Sequence, residues 1–231
     1  MKTEIKYAPK NLNEIVYPTA AVKQRINAYA SMGIEGHVLL WGPNRTGKTA
    51  IAKLLPYAID GANTVIDKKN ADELLAIKDL KGYLQKSCEY YVRFGSCNKY
   101  FLVLHEFDCS SGRMDKFWSA IDDLGEMLMV IITTNNPMEI HKSIRARFDL
   151  INMPKVKVSD FLPRAQQILQ AEGLVLTDAQ VRFNLDPHEE HGELTRYLRC
   201  LDEMIYLNNN GFKIPSPPKK TKPVLNVVKN S

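Results

Sequence analysis

Apolar residues recur at helical spacing near the start of the chain, with Val22, Ile26 and Tyr29 falling on one face of residues 20–33 between Pro18-Thr19 and Gly33. A helix is predicted there, ahead of the first strand. Residues 37–41, His-Val-Leu-Leu-Trp, form a short apolar run ending at Gly42, and residues 50–55 read as helical until Pro56. The pattern goes on to predict a strand at 63–67, a helical and partly irregular crossing at 72–91, and a fully buried strand at 100–104. A helix at 113–124, a strand at 127–133, a helix at 138–146 and a last short strand at 150–153 complete the alternation. Strands that read as continuous apolar runs and alternate with helices imply a mostly parallel sheet covered on both faces. The expected class is therefore α/β.

After Pro154 the pattern becomes all-helical. It predicts a helix at 159–172 closed by Gly173, a short one from Thr177, and one at 192–207 with Leu194, Leu198, Leu201 and Ile205 on one face. The remaining residues hold four prolines, five lysines and no helical period, the composition of a disordered tail. Three regions result: a sheet domain at 1–154, a small helical domain at 155–207, and a basic tail at 208–231.

Composition excludes several classes. The chain has 231 residues, 45% hydrophobic and 25% charged, ordinary values for a globular protein with a full core. Its longest apolar stretch, 127–132, is too short to span a bilayer, and the N-terminus shows no secretory signal, so a cytoplasmic protein without membrane insertion is expected. Cys88, Cys97, Cys109 and Cys200 form no metal-ligand spacing and read as reduced, mostly buried thiols. The net charge of +5 suggests nucleic acid as a partner, but all of it lies from Asn208 onward, where five lysines face no acid. The first 207 residues carry 26 basic and 26 acidic side chains and are neutral as a body.

Chemistry enters at Gly42-Pro43-Asn44-Arg45-Thr46-Gly47-Lys48-Thr49, which fits G-x-x-x-x-G-K-[ST] between a buried strand and a helix. Backbone N–H groups of such a loop surround phosphates, Lys48 reaches the β and γ oxygens, and the Thr49 hydroxyl completes a Mg²⁺ shell. Arg45 is unusual inside such a loop; a phosphate, a neighbouring residue and solvent are its possible destinations, with solvent preferred. Strand 100–104 ends in His105-Glu106-Phe107-Asp108. Placed beside the P-loop, Glu106 is the candidate to orient an attacking water. His105 precedes it where an aspartate would hold Mg²⁺, and an imidazole suits that hard cation poorly, so weak metal retention or slow hydrolysis is expected. The alternative is a strand-end histidine with a local hydrogen bond. Strand 127–133 runs into Thr133-Thr134-Asn135-Asn136, where Asn135 is the candidate for the γ-phosphate or the water, against simple turn capping. Arg145 and Arg147 stand just before the last strand and offer the guanidinium fork that stabilises charge on a transferring phosphoryl group, often from a neighbouring subunit.

These motifs and a final helix opening Gly192-Glu193-Leu194-Thr195-Arg196 stand in the order and spacing of the AAA+ ATPases, which the chain resembles over about residues 5–207. Within them it is most similar to the clamp-loader branch, the replication factor C small subunits and the small subunits of T4-like phage loaders. The segment from Tyr7 to Val16 is similar to one that closes over adenine in that branch, which implies nucleotide contacts from Tyr7, Ile15 and Val16. The resemblance implies a P-loop NTPase sheet followed by a helical lid, ATP and Mg²⁺ as ligands, and self-association or assembly with related AAA+ subunits. Arg147 falls on the arginine finger and Asn135 on sensor 1, while the sensor 2 arginine aligns with Thr195, leaving Arg196 to serve only if the helix shifts. It also implies DNA contacts from Arg113 and Lys116, whose alternative is an ordinary solvated helix face. Clamp loaders carry a helical collar after the lid; with none expected here, assembly would rest on the ATP interfaces or on a partner. The implied function is remodelling of a DNA replication complex of a phage or mobile element, with a sliding clamp or a helicase as partner. The alternatives are an ATP-gated binding subunit with little turnover and a helicase or transposition loader.

Overall fold

The computed structural model describes residues 2–95, 97–107 and 115–218. Five parallel strands form one sheet: β1 (His37–Trp41), β2 (Val65–Lys69), β3 (Tyr100–Leu104), β4 (Leu128–Thr134) and β5 (Phe148–Asn152), in the order β2-β3-β4-β1-β5. β3 and β4 are buried along their whole length, as their unbroken apolar sequences require. The pleat sends alternate residues to opposite faces and so divides the core in two. Leu39, Leu102, Leu104, Val130 and Ile132 meet helices α5 (Leu80–Cys88) and α6 (Asp115–Leu124) on one face. Val38, Leu40, Phe101, Val103 and Ile131 meet α2 (Ala20–Ser31) and α3 (Lys48–Asp60) on the other. β4 separates β3 from β1, so the strand ending at Glu106 is not the immediate neighbour of the P-loop strand.

Several boundaries depart from the sequence pattern. Pro56 does not end α3: its ring and Leu55 are buried against the sheet, and that burial outweighs the one N–H it cannot donate. The helix stops instead at Gly61, where φ is 75°. The 72–91 crossing is broken into α4 (Ala71–Leu75), α5 and a π-helical turn at Glu89–Arg93. Two side-chain caps cause the break: Asn70 and Glu73 form a reciprocal box at α4, and Asp79 accepts the Gly82 N–H at the start of α5. The 138–146 helix reduces to a 3₁₀ turn at Pro137–Glu139 and the short α7 (Lys142–Arg145).

The lid comprises α8 (Val158–Ala171), α9 (Asp178–Leu185) and α10 (Leu194–Asn209), packed around Phe161, Leu169, Leu185, Tyr197 and Leu201. Ile214 lies against this core and the Pro215 carbonyl accepts from the Asn184 amide at 3.0 Å, while residues 219–231 of the expected tail lie outside the described residues. The chain start is fastened to the lid as well. Thr3, in α1 (Thr3–Lys6), donates its N–H to Asp202 at 2.8 Å and its hydroxyl to the Leu198 carbonyl at 3.0 Å. Lys6 and Tyr7 both donate to Glu172 at 2.6 Å. Among the described residues no helix is long and apolar enough to cross a membrane.

His37 makes the sheet sensitive to acid. Its Nδ1 accepts the Val130 N–H at 3.1 Å, a bond that only the unprotonated nitrogen can make. Burial pushes its pKa from 6.5 down to about 4, with Asp122 opposing and Lys99 reinforcing the shift. The unfolded chain therefore binds a proton before the folded one does. This contribution is complete above pH 6.5 and is lost as the pH falls towards 4, in total about 3 kcal/mol. His37→Asn is expected to flatten that part of the stability curve, read from urea denaturation between about pH 7 and 4.

Candidate functional site

Parallel sheets leave a crevice at the carboxyl ends of their strands where the chain order reverses, and β1, between β4 and β5, sits at such a point. The loop leaves β1 through Gly42 at φ 139°, where a Cβ would lie 2.2 Å from the Met153 carbonyl oxygen. The Met153 N–H donates in turn to the Trp41 carbonyl at 2.7 Å, clamping the loop against the end of β5. Lys48 is only 7% exposed as a residue, and its ammonium donates to the carbonyls of Gly42 and Pro43 at 2.7 and 2.6 Å. Burial lowers its pKa and the Glu106 carboxylate opposes that shift. Thr46 donates its hydroxyl to Pro43 at 3.0 Å, which braces the same turn. Asn44, Arg45, Gly47, Lys48 and Thr49 open onto a cavity of about 800 Å³.

The opposite wall comes from β3 and β4. Glu106 takes up a positive φ of 47°, a conformation that costs a side-chain-bearing residue energy and persists where neighbours impose it. Here Thr133 imposes it: its hydroxyl accepts the Glu106 N–H at 3.3 Å and its carbonyl the Phe107 N–H at 3.0 Å. Asn135 faces the cavity, whereas the turn-capping role falls to Asn136, whose side chain accepts the Met138 N–H at 3.0 Å. The third wall is Tyr7 and the first turn of α10, including Glu193, Thr195 and Arg196. The Leu194 N–H donates to the Arg45 carbonyl at 3.0 Å. Glu193 accepts from Arg196 at 3.1 Å and from Arg45 at 3.4 Å, so Arg45 turns to the lid rather than to solvent alone. Burial raises the Glu193 pKa, but the Arg196 hydrogen bond and the charges of Arg196, Arg45 and His191 outweigh it and leave the carboxyl below its ordinary value.

Other expected residues lie elsewhere. Ile15 belongs to the core beneath α2 and α3 and Val16 packs on the lid core; neither lines this cavity, and both border a separate one of about 400 Å³ against α8, with Asp160 and Arg164. His105 is also absent from the cavity lining: its ring is half-buried, with Nδ1 enclosed and unpartnered. Burial, then Lys53 and Lys68, push its pKa down, so the ring is neutral at pH 7. Arg147 lines a different cavity of about 370 Å³ at the N-terminal edge of the sheet, with His37, Lys99 and Glu126. It grips Asp122 with two nitrogens at 2.8 and 2.6 Å and donates to the Ser143 carbonyl at 2.9 Å. Arg145 turns to the Met138 sulfur at 2.9 Å. Arg113 lies outside the described residues, and Lys116 is described only as part of the α6 backbone.

Thr133, Glu193 and Thr195 were not among the expected site residues. The TTNN run carries a signal for Thr133, but the Arg45–Glu193 contact, across 148 positions, leaves none. Thr195 lines the side of the cavity where the sensor 2 arginine is expected, its hydroxyl oxygen buried and without a partner among the described residues. The donor set suits Mg²⁺: the Thr49 hydroxyl and Glu106 carboxylate supply hard oxygens, leaving other positions to phosphate oxygens and water. The imidazole of His105 contributes nothing to that set.

A family model described as "ATPase family associated with various cellular activities (AAA)" matches residues 38–154. The chain is similar to replication factor C subunit 4 of Encephalitozoon cuniculi (strain GB-M1), at 23% identity over 177 residues, 74% of this chain. It spans 55% of the length of that curated relative. Its fold matches a solved RuvB variant from Thermotoga maritima with a TM-score of 0.62 and 17% identity, over 90% of this chain and 69% of the other.

Lys48→Ala removes the buried ammonium while leaving the helix sequence favourable. Its affinity for a fluorescent ATP analogue is expected to fall about 10- to 150-fold with an unchanged circular dichroism spectrum.

Proposed function

Because the chain belongs to the AAA family of ATPases, we propose that it is a clamp-loader-like ATPase subunit that binds ATP with Mg²⁺ between its sheet domain and lid, and hydrolyses it in a multi-subunit assembly on DNA. The observation that carries this reading is a division of space. The P-loop, Glu106, Asn135 and Arg196 converge on one cavity of about 800 Å³, while Arg147 stands at the opposite edge of the sheet. An arginine so placed cannot serve its own P-loop; to meet a neighbour's nucleotide it would exchange its bonds to Asp122 and the Ser143 carbonyl for phosphate oxygens. In this reading the loop N–H groups and Lys48 bind and orient the phosphates, and Glu106 accepts the proton of the attacking water. Asn135 orients that water or the γ-phosphate, and a neighbouring subunit's Arg147 meets the charge that develops on the transferred group. Thr49 and Glu106 would hold Mg²⁺ there, and the ion would supply positive charge to offset that of the phosphates.

The likeness to replication factor C subunit 4 supports a replication role among related subunits; DNA as a partner, a sliding clamp as the remodelled object and phage or mobile-element replication as the setting are part of the proposal. Arg113 and Lys116 are the proposed phosphate-backbone contacts, and the cytosol the proposed compartment. A helicase as the co-purifying protein in place of a clamp would make the chain a helicase or transposition loader. A second reading, an ATP-gated binding subunit with little turnover, rests on His105, which stands where the family carries an aspartate and offers no oxygen to the cavity.

Steady-state ATPase assays with and without primed DNA separate the two. Low but nonzero activity is expected for the natural chain, with Lys48→Ala as the blank. Glu106→Gln is expected to lose about 10²- to 10⁴-fold in turnover and keep nucleotide affinity. His105→Asp is expected to raise turnover, since Lys53 and Lys68 already provide a field favourable to a carboxylate there. Equal or lower activity in that variant counts against the magnesium argument. In mixing experiments, Arg147→Ala subunits should depress the activity of wild-type neighbours. Sedimentation that finds only monomer at high concentration with a non-hydrolysable ATP analogue would remove the shared site.

A further inference from the structure

Arg45 occupies the left-handed backbone region at φ 61°, where a Cβ is unfavourable and glycine is the natural occupant. A residue with a side chain holds such a conformation where its surroundings impose it. Two contacts from the lid converge on this one residue. The Leu194 N–H donates to its carbonyl at 3.0 Å, and its Nη1 donates to Glu193 at 3.4 Å. The Leu194 side chain completes the seat: a Cβ added to Gly47 would be 3.7 Å from its Cδ1. The first turn of α10 thus rests on residues 45–47, of which Arg45 and Gly47 line the cavity. A guanidinium has five donor hydrogens in a fixed fork. One branch engages Glu193, and the side chain, 49% exposed at the cavity wall, has donors left for an anion.

We propose that Arg45 is a positioning residue that couples phosphate occupancy of the P-loop to the placement of lid helix α10, its guanidinium bridging Glu193 and a phosphate oxygen of the nucleotide. The inference rests on the cavity being a nucleotide site, as proposed above. It goes beyond that reading in giving a P-loop side chain a double allegiance, to the ligand and to the lid of the same chain. Lid position is then sensed at the loop itself, in addition to anything Arg196 contributes from α10.

The test is Arg45→Gly, which removes the fork and relaxes the backbone at once. Without nucleotide, its melting temperature is expected to equal or exceed that of the wild type. Its affinity for a fluorescent ATP analogue is expected to fall about tenfold. Glu193→Gln should cost less affinity in the Arg45→Gly background than in the wild type, because the part of its effect that passes through Arg45 is already lost and only the part through Arg196 remains. Arg45→Lys, which keeps the charge but not the fork, should recover part of the affinity. Hydrogen exchange supplies the readout of coupling: the analogue should slow exchange of the 194–198 amides in the wild type and leave it unchanged in Arg45→Gly at saturating analogue. Wild-type affinity in Arg45→Gly, nucleotide-induced protection that persists in it, or a loss of affinity accompanied by a lowered melting temperature overturns the inference. Failure of the wild-type chain itself to bind the analogue overturns the nucleotide reading, and is told apart because no variant is needed to see it.

Discussion

The Lys48 ammonium is the constraint around which the site is organised. A buried cation is costly unless its hydrogens are satisfied, and here two loop carbonyls, Gly42 and Pro43, satisfy them at 2.7 and 2.6 Å. To bring both carbonyls inward the chain must turn tightly straight out of β1, which is why Gly42 sits at φ 139° with no room for a Cβ beneath Met153. The lysine is thus held at the head of α3 by bonds weaker than those it would make to phosphate oxygens. Anion binding at this loop exchanges partners without first exposing a buried charge to nothing.

Strand order distributes the remaining roles. β4 lies between β1 and β3, so the residue at its end touches both sides: Thr133 fixes the turn that carries Glu106, and Asn135 faces the cavity. Glu106 is held in an unfavourable backbone conformation by a neighbouring strand, not by its own local sequence. The same sheet carries Arg147 at its opposite edge, tied to Asp122 on α6. One rigid layer therefore presents a ligand crevice at one end and a guanidinium at the other.

The elements most legible from sequence were those whose signal is local. The apolar runs of β1, β3 and β4 need burial on both faces, and the P-loop follows from its spacing alone. Pro56 misleads as a helix stop because one lost hydrogen bond is local while the burial that offsets it belongs to the whole sheet. Ile15 and Val16 follow a family pattern, but their surroundings are set by packing between segments far apart in sequence. Asn135 and Asn136 are chemically identical in sequence, and only the backbone direction after β4 assigns one to the cavity and the other to the cap. The Arg45–Glu193 pair was illegible for the same reason, being a contact between two domains.

The fastening of residues 3–7 to α8 and α10 changes the mechanics of the lid. A domain joined to its neighbour by a single connection can swivel about three axes. This one is joined twice, through the segment after β5 and again through the residues between Tyr7 and α2. The lid is therefore tied to the sheet at two places, and any displacement of Glu193 and Arg196 relative to the P-loop has to be accommodated by both connections.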